Sequence, residues 1–287
     1  MGQTISLAII PVAGLGTRLG PITRVLPKAM FPLVGPDGAV RPVADWIARS
    51  AAAAGVERIV FVTSAGQEAM LRAYFAGEAD LAGRIACIAD VAPHGFGYAV
   101  AAAADLAAGR PVMVLLGDHV HLAEDGPGPV AQVASAFAAA EAAAVVGVQR
   151  VGAEGLGLVG VCRGEPAGER LYRCRDIVEK PDAATAADRL ITPGLPAGHY
   201  LAHAGIYAFS AEIFDCLARR VAARPDGREV GLTEAQQDLL ARHRDGYLLR
   251  EVAGRTLDTG TPAAYAAAVA ALAGSGGRFE AEDEAQR

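Results

Sequence analysis

Two lysines, two aspartates and a glycine turn hold most of the chemistry that this sequence can offer. Ala13-Gly14-Leu15-Gly16-Thr17-Arg18 follows the apolar run Leu7 to Pro11. Glycines in such a turn let backbone N–H groups come close to a polyphosphate, and the Arg18 guanidinium adds a rigid fork for its oxygens. Ten residues after Arg18, Lys28 projects from a segment held extended by Pro27 and Pro32. Asp118 ends the apolar stretch Val112 to Leu116-Gly117, the place where ligands gather at the carboxyl edge of a parallel sheet. A carboxylate there suits Mg²⁺, which keeps several waters and takes one or two protein carboxylates alongside phosphate oxygens. Asp258, before Thr259-Gly260, is the natural second carboxylate, and Glu179-Lys180-Pro181 sets a carboxylate beside an ammonium, so that if both face a cleft one can accept from hydroxyls while the other holds a phosphate. Taken singly these signals are weak: a glycine turn joins many strands to loops, a lone lysine is ordinarily solvated, and an aspartate often caps a helix or turn.

In sequence order, however, they resemble the signature of the sugar-1-phosphate nucleotidyltransferases, and most closely the bacterial UTP:glucose-1-phosphate uridylyltransferases. The landmarks are the Gly-Thr-Arg turn, Pro27-Lys28, Gly95-Phe96-Gly97-Tyr98, Leu116-Gly117-Asp118, Val178-Glu179-Lys180-Pro181, Glu229 to Ala235, and Asp258-Thr259-Gly260. The resemblance implies a nucleotide site formed by Ala13, Gly14, Gly16, Thr17, Asp90 and Gly95, with Arg18 and Lys28 acting on the triphosphate and the transition state. It places Lys180 on the phosphate of the sugar 1-phosphate, Glu179 on sugar hydroxyls, backbone at Gly157 and Gly205 near the sugar, and Mg²⁺ on Asp118 and Asp258. The implied reaction joins a nucleoside triphosphate to a sugar 1-phosphate, giving a nucleotide sugar and pyrophosphate. Its nucleophile, a phosphate with second pKa about 6, is already ionised at neutral pH, so the barrier is electrostatic and geometric and no general base is required.

Several positions depart from the pattern. Asp90 stands where the family carries a glutamine that reads uracil. A carboxylate accepts and cannot donate, so it can take N3–H of uracil or thymine, while guanine offers two adjacent donors; UTP comes first by overall resemblance, then GTP and dTTP. Arg24, Gly231 and His119 replace a common Lys, Gln and Asp, and His199, Tyr200 and His203 lie beside the implied sugar pocket. The acceptor is therefore expected to be glucose 1-phosphate or a related hexose, heptose or cyclitol phosphate. His119 and His121 alternate with apolar neighbours, a spacing read as local hydrogen bonding in preference to metal ligation.

The elements that must position these residues read as an α/β fold, a Rossmann-like, mostly parallel central sheet flanked by helices. Strand-like runs at Leu7 to Pro11, Arg58 to Thr63, Ile85 to Ala89 and Val112 to Leu116 alternate with helical stretches at Pro42 to Ala54, Gln67 to Phe75, Phe96 to Leu106 and Val130 to Ala140. After Ala143 shorter strands predict a mixed or antiparallel segment beside the first sheet, and 181–199 reads as a long loop with one helical turn. Ser210 and Thr233 are expected to cap two helices, and a last helix covers Pro262 to Leu272. One domain is expected over 1–273, its nucleotide half 1–143 and its sugar-phosphate half 144–273, followed by a flexible tail, 274–287.

Composition narrows the classes further. A formal charge of -6 with no basic, aromatic-laced stretch argues against nucleic-acid binding. No run reads as a membrane span, and four dispersed cysteines without a CxxC pair point to reduced thiols and the cytoplasm. A homo-oligomer, dimer or tetramer, is expected. Gly14, Gly16 and Gly20 also satisfy a dinucleotide-type spacing, which raises an NADP-dependent oxidoreductase as a rival. Pro21, Pro27 and Pro32 oppose it, because that fold starts a helix at the glycine turn. A non-catalytic nucleotide-sugar sensor is the third reading, opposed by the intact Arg18, Lys28, Asp118, Lys180 and Asp258.

Overall fold

The computed structural model of the chain describes residues 4–89, 91–224 and 228–274. Asp90 and the expected tail beyond Gly274 lie outside the described residues. The strands are β1 Leu7–Pro11, β2 Pro32–Val34, β3 Val40–Pro42, β4 Arg58–Val62, β5 Ile85–Ile88, β6 Val112–Leu115, β7 His119–Leu122, β8 Ala144–Val151, β9 Gly160–Gly168, β10 Leu171–Glu179, β11 Tyr200–Phe209, β12 Tyr247–Glu251 and β13 Arg255–Asp258. The helices are α1 Val43–Ala53, α2 Glu68–Ala76, α3 Phe96–Ala101, α4 Ala104–Ala107, α5 Pro129–Ala139, α6 Ala183–Arg189, α7 Glu212–Ala222, α8 Leu232–Arg242 and α9 Pro262–Gly274.

Strand β1 shows why a continuous apolar run makes a central strand. Every residue of Leu7–Pro11 is buried; Leu7 and Ile9 point into one core, Ala8 and Ile10 into the other. A period of two divides one strand between two layers. Helices α1, α2 and α5 cover the Ala8 and Ile10 face, with Val43, Ile47, Phe75, Val133 and Phe137 buried in the same cluster. Helices α3, α7 and α8 cover the other through Val100, Leu217 and Leu239. In α1 the buried Val43, Ala44, Ile47, Ala48 and Ala51 recur at helical spacing, and the chain leaves through Gly55 at φ 87.

The main sheet has nine strands in the order β5-β4-β1-β6-β11-β8-β12-β10-β9. Within it β11 and β10 run against the other strands, so most strands share one direction. The second half of the chain thus does not pack beside the first sheet, as its short strand runs suggested. It extends the same sheet, because β11 hydrogen-bonds to β6 along Ile206–Phe209 and joins β8 on its other edge. A separate ribbon pairs β7 with β13, and β2 pairs with β3.

Local differences have local causes. The stretch 96–106 is two helices because the Ala103 N–H bonds to Val100, one residue short of the α-helical partner, and tightens the turn. The long loop contains α6, whose Asp182 side chain accepts from the Thr185 N–H. Ser210 makes no cap hydrogen bond, and Ala211 occupies the cap position. Thr233 lies inside α8, with Gly231 as its cap, and its hydroxyl is used elsewhere.

Candidate active site

After β1 the chain enters three short 3-10 turns, Thr17–Leu19, Pro21–Arg24 and Lys28–Met30. Prolines 21 and 27 prevent a regular helix at the glycine turn, so the frame of a dinucleotide-binding fold is missing there. Gly14 and Gly16 lie alongside the Lys28 stem: a Cβ on Gly14 would be 4.0 Å from Lys28 Cε, and one on Gly16 would be 3.5 Å from Lys28 Cβ. Ala13 is buried, whereas Gly14, Thr17 and Arg18 are exposed.

Lys28 donates to Asp118 Oδ2 at 2.6 Å, with the two side chains 18% and 20% exposed. Burial opposes ionisation of Asp118, but the Lys28 ammonium overcomes it, aided by His119 and Arg18, and the pKa falls below its ordinary value. Asp258 arrives on the ribbon. β13 aligns Asp258 with His119, and Thr259 donates from both its N–H and its hydroxyl to the Asp118 carbonyl at 2.9 Å. A Cβ on Gly260 would lie 3.0 Å from Asp258 Oδ1 and 3.1 Å from Asp118 Oδ2, so both carboxylates approach the same glycine, whose N–H donates to Asp258 Oδ1 at 2.6 Å.

The expected acceptor-side residues come from the extended sheet. Glu179 ends β10, and Lys180 turns out of it at φ 46, a left-handed conformation that is costly for a side chain. Its N–H bonds to Val159 at 3.2 Å, and the buried Pro181 follows. The Lys180 ammonium is 4.0 Å from Glu179 Oε1, both side chains being about half exposed. Thr233 donates to Glu179 Oε2 at 2.7 Å. Gly157 lies exposed in the turn before β9, and Gly205 sits inside β11 at φ 79, where a Cβ would meet His119 Nδ1 at 2.5 Å.

Gly95 and Gly97 are required by close backbone approach. A Cβ on Gly95 would lie 2.5 Å from the Val230 carbonyl, and one on Gly97 2.4 Å from that of Gly231. The Gly97 N–H donates to Val230 and the Val230 N–H to His94, which ties the second glycine turn to the segment before α8.

Tyr207 was not singled out by sequence reasoning. It is buried on β11, and its phenol is held far above its usual pKa by burial, then by Glu179, Cys162 and Asp118. It therefore lies within electrostatic reach of both Glu179 and Asp118. Its signal was a tyrosine in a mostly apolar strand, four residues after His203, a residue that normally finds a partner for its hydroxyl. His119 and His121 are used locally. The His119 ring makes a long 3.4 Å contact with the Ala204 carbonyl, and His121 Nδ1 lies 3.2 Å from Thr256 Oγ1, with burial pushing the His121 pKa down to about 3. Among the described residues no group of three His, Cys, Asp or Glu could hold a metal ion.

Comparison with known proteins gives the family. A family model described as nucleotidyl transferase matches residues 7–275. The chain is 31% identical over 258 residues to the UTP–glucose-1-phosphate uridylyltransferase of Bacillus subtilis strain 168, covering 83% of this chain and 81% of that protein. It is 32% identical over 250 residues to a second protein of that strain given the same designation provisionally, covering 80% and 84%. A crystal structure of UDP-glucose pyrophosphorylase complexed with UDP-glucose superposes with a TM-score of 0.78 at 26% identity, covering 95% of this chain and 100% of that one. The expected fold and family are thereby confirmed. A site assembled on such a sheet, a family match across nearly the whole chain and relatives of this similarity together mean that the chain belongs to the nucleotidyl transferase family.

Proposed function

We propose that the enzyme condenses UTP with glucose 1-phosphate or a related hexose, heptose or cyclitol phosphate, releasing pyrophosphate. The observation that carries this reading is the meeting of Lys28, Asp118 and Asp258 at the end of β6, beside the glycine turn, with Glu179 and Lys180 paired at the end of β10 and both Glu179 and Asp118 acting on Tyr207. UTP and glucose 1-phosphate are favoured by the names of the relatives. Asp90, the expected reader of the base, falls outside the described residues, and GTP and dTTP remain the alternatives.

The roles follow from charge. The 1-phosphate oxygen attacks the α-phosphorus in line; the new O–P bond forms as the bond to the β-phosphate bridging oxygen breaks, and pyrophosphate departs with that oxygen. Arg18, exposed and without a hydrogen bond of its own among the described residues, binds the outer phosphates together with backbone N–H groups of Ala13, Gly14, Gly16 and Thr17. Lys28 neutralises charge at the transferring group, Gly95 lets the second turn approach the nucleotide, Lys180 holds the nucleophile's phosphate, and Glu179 with backbone at Gly157 and Gly205 receives the sugar. Tyr207, within electrostatic reach of Glu179 and Asp118, donates to a phosphate or sugar oxygen. Asp118 and Asp258 fit Mg²⁺, because two hard carboxylates meet beside Gly260. When bound, the ion supplies charge neutralisation at the phosphates.

Cytoplasmic placement is supported by four free cysteines, none in a disulfide among the described residues. No helix there is long and apolar enough to cross a membrane. A homo-oligomeric state rests on the resemblance, and sedimentation checks it.

The test is pyrophosphate release from the five common triphosphates crossed with a panel of sugar 1-phosphates, with and without Mg²⁺. Release with UTP and a hexose 1-phosphate is expected, lost without Mg²⁺, with Lys28→Ala and Asp258→Asn each lowering kcat/KM about a hundredfold or more. No release from any pair overturns the function. Unchanged kcat/KM in both variants overturns the roles alone. Lys28→Arg and Lys180→Arg should each cost more than Arg24→Lys, because a guanidinium fork imposes a geometry that a moving phosphate does not keep.

A further inference from the structure

On β9, β10 and β11 a second set of polar groups converges behind Glu179. His203 is 5% exposed, and its Nε2 lies 3.1 Å from the fully buried Cys162 Sγ. Its ring stands edge-on to Tyr207 at 5.3 Å between centroids. The other edge lies over Gly160, whose backbone pairs with Glu179 in the ladder. A Cβ on Gly160 would sit 2.6 Å from His203 Nδ1, 3.0 Å from its Cε1 and 3.1 Å from Glu179 Oε2. His203 Nδ1 and the Glu179 carboxylate thus flank one glycine, and Thr233 donates to the same carboxylate oxygen, Oε2, at 2.7 Å.

We propose that His203 is a specificity-determining residue of the acceptor pocket, its Nδ1–H pairing with the Glu179 carboxylate as donor and acceptor for neighbouring hydroxyls of a polyol 1-phosphate, and that Cys162 positions it. The inference rests on the acceptor side of the reaction proposed above. Burial, with Cys174 beside it, pushes the Cys162 thiol well above its usual pKa, so the sulfur keeps its hydrogen and is available as a donor to Nε2 at 3.1 Å, the direction the proposal takes. In that tautomer the imidazole proton sits on Nδ1, the atom beside Gly160 and Glu179. Burial lowers the His203 pKa to about 4, so the ring is neutral near pH 7 and offers a dipole without a second positive charge beside Lys180. Gly160 is the condition for the arrangement: any side chain there would enter the ring. A site built to hydrogen-bond a hydroxyl rejects the analogue that lacks it, because its own polar atoms are left unpaired.

The test uses the full chain with UTP, Mg²⁺, glucose 1-phosphate and its 2-, 3-, 4- and 6-deoxy analogues. The wild type should disfavour at least one analogue about tenfold or more in kcat/KM. His203→Val should remove most of that discrimination and raise KM for glucose 1-phosphate about tenfold, with kcat and KM for UTP nearly unchanged. His203→Asn, whose amide reaches the Nδ1 position, should retain it. Cys162→Ala should weaken discrimination, and Cys162→Ser, which still donates, should restore it. Full discrimination in a folded His203→Val, judged by its thermal midpoint and its KM for UTP, overturns the proposal. If His203→Val does not fold, equal discrimination by Cys162→Ala and Cys162→Ser overturns it instead. No pyrophosphate release by the wild type with any of these acceptors overturns the acceptor reading itself, a result distinct from release with unchanged discrimination.

Discussion

Replacing Lys28 with methionine keeps most of the stem and removes the ammonium that lies 2.6 Å from Asp118 Oδ2. Exposed ion pairs contribute about 0–1 kcal/mol, whereas stranding one partner of a buried pair costs about 3–5 kcal/mol. With side chains 18% and 20% exposed, this pair falls between those limits, and we expect Lys28→Met to cost about 2 kcal/mol at about pH 7.5. The pH dependence carries the sharper information. In the wild type the Asp118 pKa is depressed, so its contribution is present above the unfolded value of 3.8 and is lost as pH falls through the lower folded value. Without Lys28, burial raises the carboxyl above 3.8; the variant then carries a penalty at neutral pH that shrinks as pH falls toward 3.8 and the group takes up its proton. Urea unfolding from about pH 7.5 down to about pH 4 should show the gap between the two proteins narrowing. Lys28→Met/Asp118→Asn should recover more than half of the loss, since no charge is stranded. A gap independent of pH, or a double variant no more stable than the single one, would refute the reasoning.

Tyr207→Phe should lower kcat about tenfold while leaving the urea midpoint nearly unchanged, because the phenol has no protein hydrogen-bond partner among the described residues; an equal loss of stability would make the residue structural. Arg49 binds the fully buried Asp45 at 2.7 Å and also engages Glu78 and Asp80, so Arg49→Met should cost about 2–3 kcal/mol in chemical unfolding despite its partial exposure. Gly97→Ala drives a methyl to 2.4 Å from the Gly231 carbonyl and should cost about 2–3 kcal/mol and raise KM for the triphosphate. A well-folded Gly97→Ala with unaltered KM would detach that turn from nucleotide binding.

The nucleotide side of the fold was readable because its information is local. Strand β1, the glycine turn, Lys28 and the β6 to Asp118 junction are contiguous apolar runs followed by turn residues, and period and composition suffice for them. What joins distant segments was not readable. The β7–β13 ribbon consists of two four-residue strands, one of them carrying two histidines, too short to register as alternation. Its pairing is what brings Asp258 to Asp118. Continuity between the two halves depends on β11, whose burial on both faces looks in sequence like any apolar strand and does not reveal that it lies between β6 and β8. Thr233 reads as a cap by composition, yet a tertiary acceptor on Glu179 takes its hydroxyl.

Strand β12 is an inner strand, parallel to β8 and antiparallel to β10, although the chain reaches it after every other strand of the main sheet. During synthesis β8 and β10 must wait, each with an open edge, until Tyr247–Glu251 has left the ribosome. A chain halted before that point holds a sheet with a slot in it, the form most exposed to mispairing with a neighbour. The same closing segment leads within a few residues into β13, so completion of the sheet and delivery of Asp258 are nearly one event. A nascent chain therefore becomes foldable and site-bearing together, and partial products of translation carry neither a closed sheet nor a pair of carboxylates.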